Sequence, residues 1–186
     1  PPRVHESFCC SHPDGGGFLV GSVGDCGLSC DICIQPDQLD DCAEMCRQCP
    51  QTTFIIDHCG GHQGLSGTCP AAGAKDDAQH AAWKAGIKAL SELPNVVAKI
   101  SGLYGGWQGG WDSWSFSTQT ATMDFVMDHF PEDRVVLGSD WPVCEGAAPG
   151  SHAKYVAEVK GYLVGKRGYG AAKKLLSENA IRVYRL

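Results

Sequence analysis

Several things are missing from this chain of 186 residues, and each absence closes a route. No run approaches the roughly 18 consecutive apolar residues that mark a membrane-spanning helix. Basic residues number 15 against 21 acidic ones, for a net charge of -6, and nowhere do they cluster. That argues against a nucleic-acid partner, which needs a positive face. No G-x-S-x-G elbow, no P-loop and no G-x-G-x-x-G after a strand occurs, so the common serine-hydrolase and nucleotide signatures are absent. No H-x-H pair occurs either, so a metal site of that design cannot be assembled from these residues alone. The opening residues, Pro1-Pro2-Arg3-Val4-His5-Glu6, carry no signal-peptide apolar segment and no initiator methionine. The first point gives the expectation of a cytoplasmic protein. The second gives the expectation that the chain starts inside a longer one.

Hydrophobic residues at 43% and charged residues at 19% fit a soluble globular domain with a real core. The eleven cysteines are unusual. Two triplets share the spacing C-x3-C-x2-C: Cys26, Cys30, Cys33 and Cys42, Cys46, Cys49. An iron–sulfur protein is one reading of that spacing. The competing reading is core packing, and it is the stronger. The second triplet falls at i, i+4, i+7 of an evident helix, on one face. Cys30 and Cys33 fall on opposite faces of a predicted strand over Ser29–Ile34. Buried free cysteine packs as a small hydrophobe.

Short apolar runs alternate with helical patterns. Strands are predicted over 29–34, 52–58, 96–102 and 134–137. Helices are predicted over 18–26, 38–49, 76–93, 118–130, 152–164 and 169–176. Asp37 is the expected cap of the second helix, and Asn179 the expected cap of a last turn over 180–184. Strands alternating with helices mean βαβ units and a parallel sheet. Right-handed crossovers then bring every strand's carboxyl end to one rim, where chemistry sits in parallel α/β folds.

Three strands end in polar groups. The last, Arg134-Val135-Val136-Leu137-Gly138-Ser139-Asp140-Trp141-Pro142, delivers Asp140 and Trp141 to the rim, with Gly138 allowing close backbone approach. The second ends in Asp57-His58 and the third in Lys99-Ile100-Ser101. An aspartate and a histidine from different strands suit general acid–base work: Asp140 deprotonates water and His58 steadies the oxyanion. Lys99 offers positive charge to a substrate, with Ser101 and Trp141 as further contacts. Trp107, Trp111 and Trp114 sit in a loop that could wall a flat ligand. Plainer readings stand beside these. Asp140 fits a turn cap, His58 a satisfied buried histidine, Lys99 a snorkelling side chain, Ser101 a turn residue, and the tryptophans ordinary loop packing. His62, His80, His129 and His152 fall on loops or helix surfaces and receive no role.

Four ordered motifs carry a resemblance: Phe54-Ile55-Ile56-Asp57-His58-Cys59-Gly60, Asn95–Leu103, Asp133–Val143 and Asn179-Ala180-Ile181-Arg182-Val183-Tyr184. Together the chain resembles the amidohydrolase-related (amidohydrolase 2) family. Its nearest likeness is the branch of sugar lactonases and 2-pyrone-4,6-dicarboxylate lactonase. The resemblance implies a distorted (β/α)8 barrel, of which residues 1–186 are a single carboxyl-terminal portion, since a whole barrel takes about 250 residues. It implies that Asp140 is the general base for water, and that His58 contacts the substrate or, in some relatives, a metal. A small-molecule lactone substrate follows, and a divalent zinc or manganese ion in the complete protein is compatible with it. A metal-dependent amide hydrolase or decarboxylase is the alternative on the same scaffold, and a non-catalytic fragment a third. Oligomeric state is left open.

Overall fold

A computed structural model of the chain describes residues 18–61, 77–103, 119–146 and 151–186. At its centre is a four-stranded sheet in the order β1-β2-β3-β4. Its strands are β1 (Ser29–Ile32), β2 (Thr53–Ile56), β3 (Val96–Ile100) and β4 (Val135–Leu137). Every neighbouring pair is parallel. Helix α1 (Phe18–Asp25) precedes the strands, and α2 (Leu39–Gln48), α3 (Ala78–Ser91), α4 (Thr120–His129) and α5 (Ser151–Lys173) separate or follow them. A π-helical turn, Lys174–Glu178, leads into α6 (Asn179–Tyr184). The α/β alternation legible in the sequence is therefore the observed architecture. Among the described residues no helix is long and apolar enough to cross a membrane.

β2 and β4, and β3 apart from Lys99, are largely apolar runs because both faces of the sheet are covered there. Phe54, Ile56, Val96, Ala98, Ile100 and Val135 turn to the helix layer and join the main core. Ile55, Val97 and Val136 turn the other way and pack with Val183 of α6, flanked by Ala180 and Tyr184. Cys42, Cys46 and Cys49 lie buried within the main core, the packing expected of the α2 stripe. Cys49 is disulfide-bonded.

Three local expectations need correction. The first strand stops at Ile32, so Cys33 lies beyond it and is exposed. Asp37 does not cap the second helix. It sits within a 3-10 turn, Pro36–Gln38, whose start is tied by Gln35 N–H donating to Gln38 Oε1 at 3.0 Å. Asn179 is not a cap either, because the chain is already helical before it. Its buried amide instead donates to the carbonyls of Glu132 and Val135, both at 2.7 Å, and ties α6 to the start of β4. The two helices expected over 152–176 are present, and they meet at Gly168, where a φ of 84° breaks the helical run. The tryptophans at 107, 111 and 114 lie outside the described residues.

Candidate active site

Asp140 and His58 reach each other through unusual backbone. After β2 the chain makes a left-handed turn, with φ of 55° at His58, 52° at Cys59, 69° at Gly60 and 74° at Gly61. L-residues avoid this region, so the two glycines supply the half of the turn where side chains are least welcome. A Cβ on Gly61 would lie inside contact distance of the Ile34 carbonyl oxygen. From within the core Trp83 holds the turn, its Nε1–H donating to the Cys59 carbonyl at 2.7 Å. Asp140 also has positive φ, 57°. Non-glycine residues held there are uncommon and cluster at functional sites.

The result is a His–Asp pair across the rim. His58 Nε2 lies 3.9 Å from Asp140 Oδ1, with side chains 16% and 23% exposed. Burial raises the Asp140 carboxyl above its ordinary range, the Asp57 charge adds to that, and His58 and Lys99 oppose it. On its other side His58 meets Ser101. The Ser101 Oγ accepts the His58 backbone N–H at 3.2 Å and lies 3.0 Å from Nδ1.

Gly138 explains how β4 comes so close to Ser101. A Cβ there would fall 3.0 Å from the Ser101 Cβ and 3.1 Å from the Lys99 Cδ. The close approach expected of this glycine is thus made to the two rim side chains of β3.

Lys99 does not snorkel to water. Its Nζ sits 2.6 Å from Asp57 Oδ1 and 2.8 Å from Asp31 Oδ1. Tyr184 completes the group, donating to Asp31 Oδ1 at 2.7 Å with its ring under the ammonium. Burial works to lower the Lys99 pKa, but the bonds to Asp31, Asp57 and Tyr184 outweigh it and hold the group above the ordinary lysine range. Trp141 is 67% exposed beside the site, its backbone N–H donating to Ser139 Oγ at 3.3 Å.

Sequence reasoning singled out Asp140, His58, Lys99, Ser101 and Trp141, and the rim gathers them. It missed the charge partners of Lys99. Asp31 and Asp57 come from β1 and the end of β2. The register that pairs Asp31 with Ile55, and Ile55 with Val97, sets them beside Lys99 on one face. A lysine on one strand, an aspartate level with it just past the neighbouring strand, and a second aspartate two residues out of step on the strand beyond were the available signal. His80, expected on a helix surface, is instead 2% exposed, with Nδ1 3.0 Å from Asp77, the cap of α3.

Among the described residues no group of three or more His, Cys, Asp or Glu side chains is placed to hold an ion. His58 and Asp140 offer a pair, short of the three protein ligands of a catalytic zinc site. The described residues therefore do not by themselves fit a metal centre.

Comparison with known proteins places the chain in a family. An L-fucono-1,5-lactonase from Burkholderia multivorans is 32% identical over 122 residues, covering 63% of this chain and 38% of that protein. An L-fucono-1,5-lactonase from Burkholderia ambifaria is 26% identical over 160 residues, covering 86% and 50%. The crystal structure of an amidohydrolase from Burkholderia multivorans with bound zinc superposes with a TM-score of 0.72 at 26% identity, covering 90% of this chain and 56% of that one. The chain thus spans about half the length, or less, of these relatives. The sequence model of the amidohydrolase family matches residues 17–186, and the chain belongs to that family.

Proposed function

We propose that residues 1–186 form one carboxyl-terminal portion of a (β/α)8 barrel and carry the water-activating side of a lactone hydrolase, acting on a sugar lactone. The observation that carries this reading is the Asp140–His58 pair on the rim, 3.9 Å apart. Asp140, ionised, takes a proton from water. The oxygen of that water bonds to the lactone carbonyl carbon, and His58 Nε2–H donates to the oxyanion that forms. Collapse breaks the ring C–O bond, the proton held by Asp140 passes to the leaving oxygen, and a hydroxy acid results. Trp141, exposed beside Asp140, offers an apolar face to the sugar ring.

In this reading Lys99 and Ser101 do different work. The Lys99 ammonium is engaged by two carboxylates, so its charge acts on the site as a field rather than as a substrate ligand. Ser101 is buried against His58 and acts through it. The names of the two Burkholderia lactonases support the lactone class. A divalent ion, zinc as in the Burkholderia crystal structure or manganese, would require donors beyond the described residues, and no step here runs through one. A cytoplasmic location belongs to the same reading. The seven free thiols among the described cysteines are compatible with it, while the Cys49 disulfide points the other way.

The decisive experiment assays a panel of sugar lactones with the protein and its Asp140→Asn variant. Turnover is expected to fall at least about 10²-fold, the low end for a lost acid–base group. A variant that turns over at near the native rate would remove Asp140 from the mechanism.

A further inference from the structure

A serine hydroxyl has one proton to give and two lone pairs to fill. At Ser101 one lone pair receives the backbone N–H of His58 at 3.2 Å. Its other polar contact among the described residues is His58 Nδ1, at 3.0 Å. Ser101 is only 1% exposed, so bulk water does not stand in for a protein partner. Two arrangements of the Nδ1 contact are open. If Nδ1 bore the imidazole proton, Oγ would accept twice and its own O–H would face the interior with no acceptor. If Nδ1 is bare, the hydroxyl proton fills it, and Oγ, its proton and Nδ1 each have a partner. Buried polar groups in folded proteins are overwhelmingly paired, so the second arrangement prevails.

The proton of the neutral imidazole then lies on Nε2, the nitrogen that faces Asp140. We propose that Ser101 is a positioning residue that fixes His58 in the Nε2–H tautomer. Held so, His58 enters the site as a hydrogen-bond donor and leaves the base's role to Asp140. With the opposite tautomer, a bare Nε2 would compete with Asp140 for the proton of water and could not donate to an oxyanion. Two neighbours keep Ser101 in place. The left-handed turn sets the backbone N–H and Nδ1 of His58 against the same hydroxyl. Gly138 leaves room for the Ser101 side chain.

The tautomer assignment stands on geometry alone, and only its kinetic consequence rests on the proposed lactone hydrolysis. The test is long-range proton–nitrogen correlation NMR on protein labelled with 15N-histidine, on the alkaline side of the histidine titration. Signals of His58 are assigned by their loss in His58→Gln. The expected result is a protonated ring nitrogen coupled strongly to both Hδ2 and Hε1, which identifies Nε2. Ser101→Ala should give a mixture of tautomers, while Ser101→Thr, which keeps the hydroxyl, should retain the native pattern. A native spectrum with Nδ1 protonated overturns the proposal, as does an Ser101→Ala spectrum that keeps the native pattern. Should Ser101→Ala not fold, the native spectrum decides by itself. On any lactone that the native protein hydrolyses, Ser101→Ala should lower kcat about tenfold with KM little changed, the signature of a contact made in the transition state, and Ser101→Thr should restore it. If no lactone is hydrolysed, the functional reading fails while the tautomer result is still read.

Discussion

Asp140 is placed where its charge is least comfortable. Burial raises its carboxyl pKa above the ordinary value of 3.8, and Asp57 pushes the same way. Between the unfolded value and the raised folded one, the folded state binds more protons than the unfolded state. Stability therefore falls as pH rises through that window. The same shift moves the acid limb of activity upward, since only the ionised form accepts a proton from water. Asp140→Asn removes the buried charge and keeps the shape. It is expected to raise the melting temperature at neutral pH while lowering turnover, and the gain should vanish in a scan below the unfolded carboxylate range. A melting temperature lowered at neutral pH would mean that the His58 and Lys99 attractions outweigh burial. Lys99 shows what a single residue's sequence context hides. Its position on the rim was legible, but its engagement was not, because Asp31 and Asp57 are distant in sequence and reach it only through strand register.

Between elements, polar side chains do work that hydrophobic pattern does not show. Arg134 Nη1 donates to the carbonyls of Leu93 and Val96, and Nη2 to that of Ser91, joining the end of α3 to the entry of β3 and the start of β4. Arg134→Met keeps much of the stem and loses all three bonds. Unfolding free energy is expected to fall by about 2–4 kcal/mol, since bonds to charged groups contribute about 1.5–3 kcal/mol each and are not additive. A urea midpoint that drops with the slope unchanged would carry that result. The left-handed turn after β2 is a second such joint. Gly61→Ala puts a Cβ both in the left-handed region and against Ile34. A loss of about 2 kcal/mol or more is expected, the upper end of the left-handed penalty with the clash added. A loss of under about 0.5 kcal/mol, typical of an ordinary surface change, would show that the turn relaxes. Strands and helices were legible because period and run length reflect burial that both faces of the sheet impose. The caps at Asp37 and Asn179 were misread for a physical reason. A residue type favoured at a helix start is also favoured wherever a carbonyl needs a donor, and Asn179 serves the start of β4 instead.

Across the whole molecule the sheet has unequal cover. The helix layer buries the large core on one face, while Ile55, Val97 and Val136 on the other face meet little beyond α6 among the described residues. That face is the one that carries Asp31, Lys99 and Asp57 toward the rim. The short helix α6 therefore does two things at once: Val183 covers the small cluster, and Tyr184 bonds the charge group under the site. In relatives about twice as long, further chain is available to cover such a face, and here α6 bears the task within the described residues. Two variants of α6 separate docking from helix propensity. Val183 is 7% exposed, and Val183→Asp places a carboxylate in the apolar cluster. Ile181 is 51% exposed, and Ile181→Asp puts the same charge on the outer side of the same helix. Val183→Asp should lower unfolding free energy by about 3 kcal/mol or more through lost packing and an unpaired buried charge. It should also expose the cluster to an environment-sensitive apolar dye. Ile181→Asp should stay within about 0.5 kcal/mol of the native protein. Similar losses in both would mean that α6 contributes only as a helix, and the second face of the sheet would then need another cover.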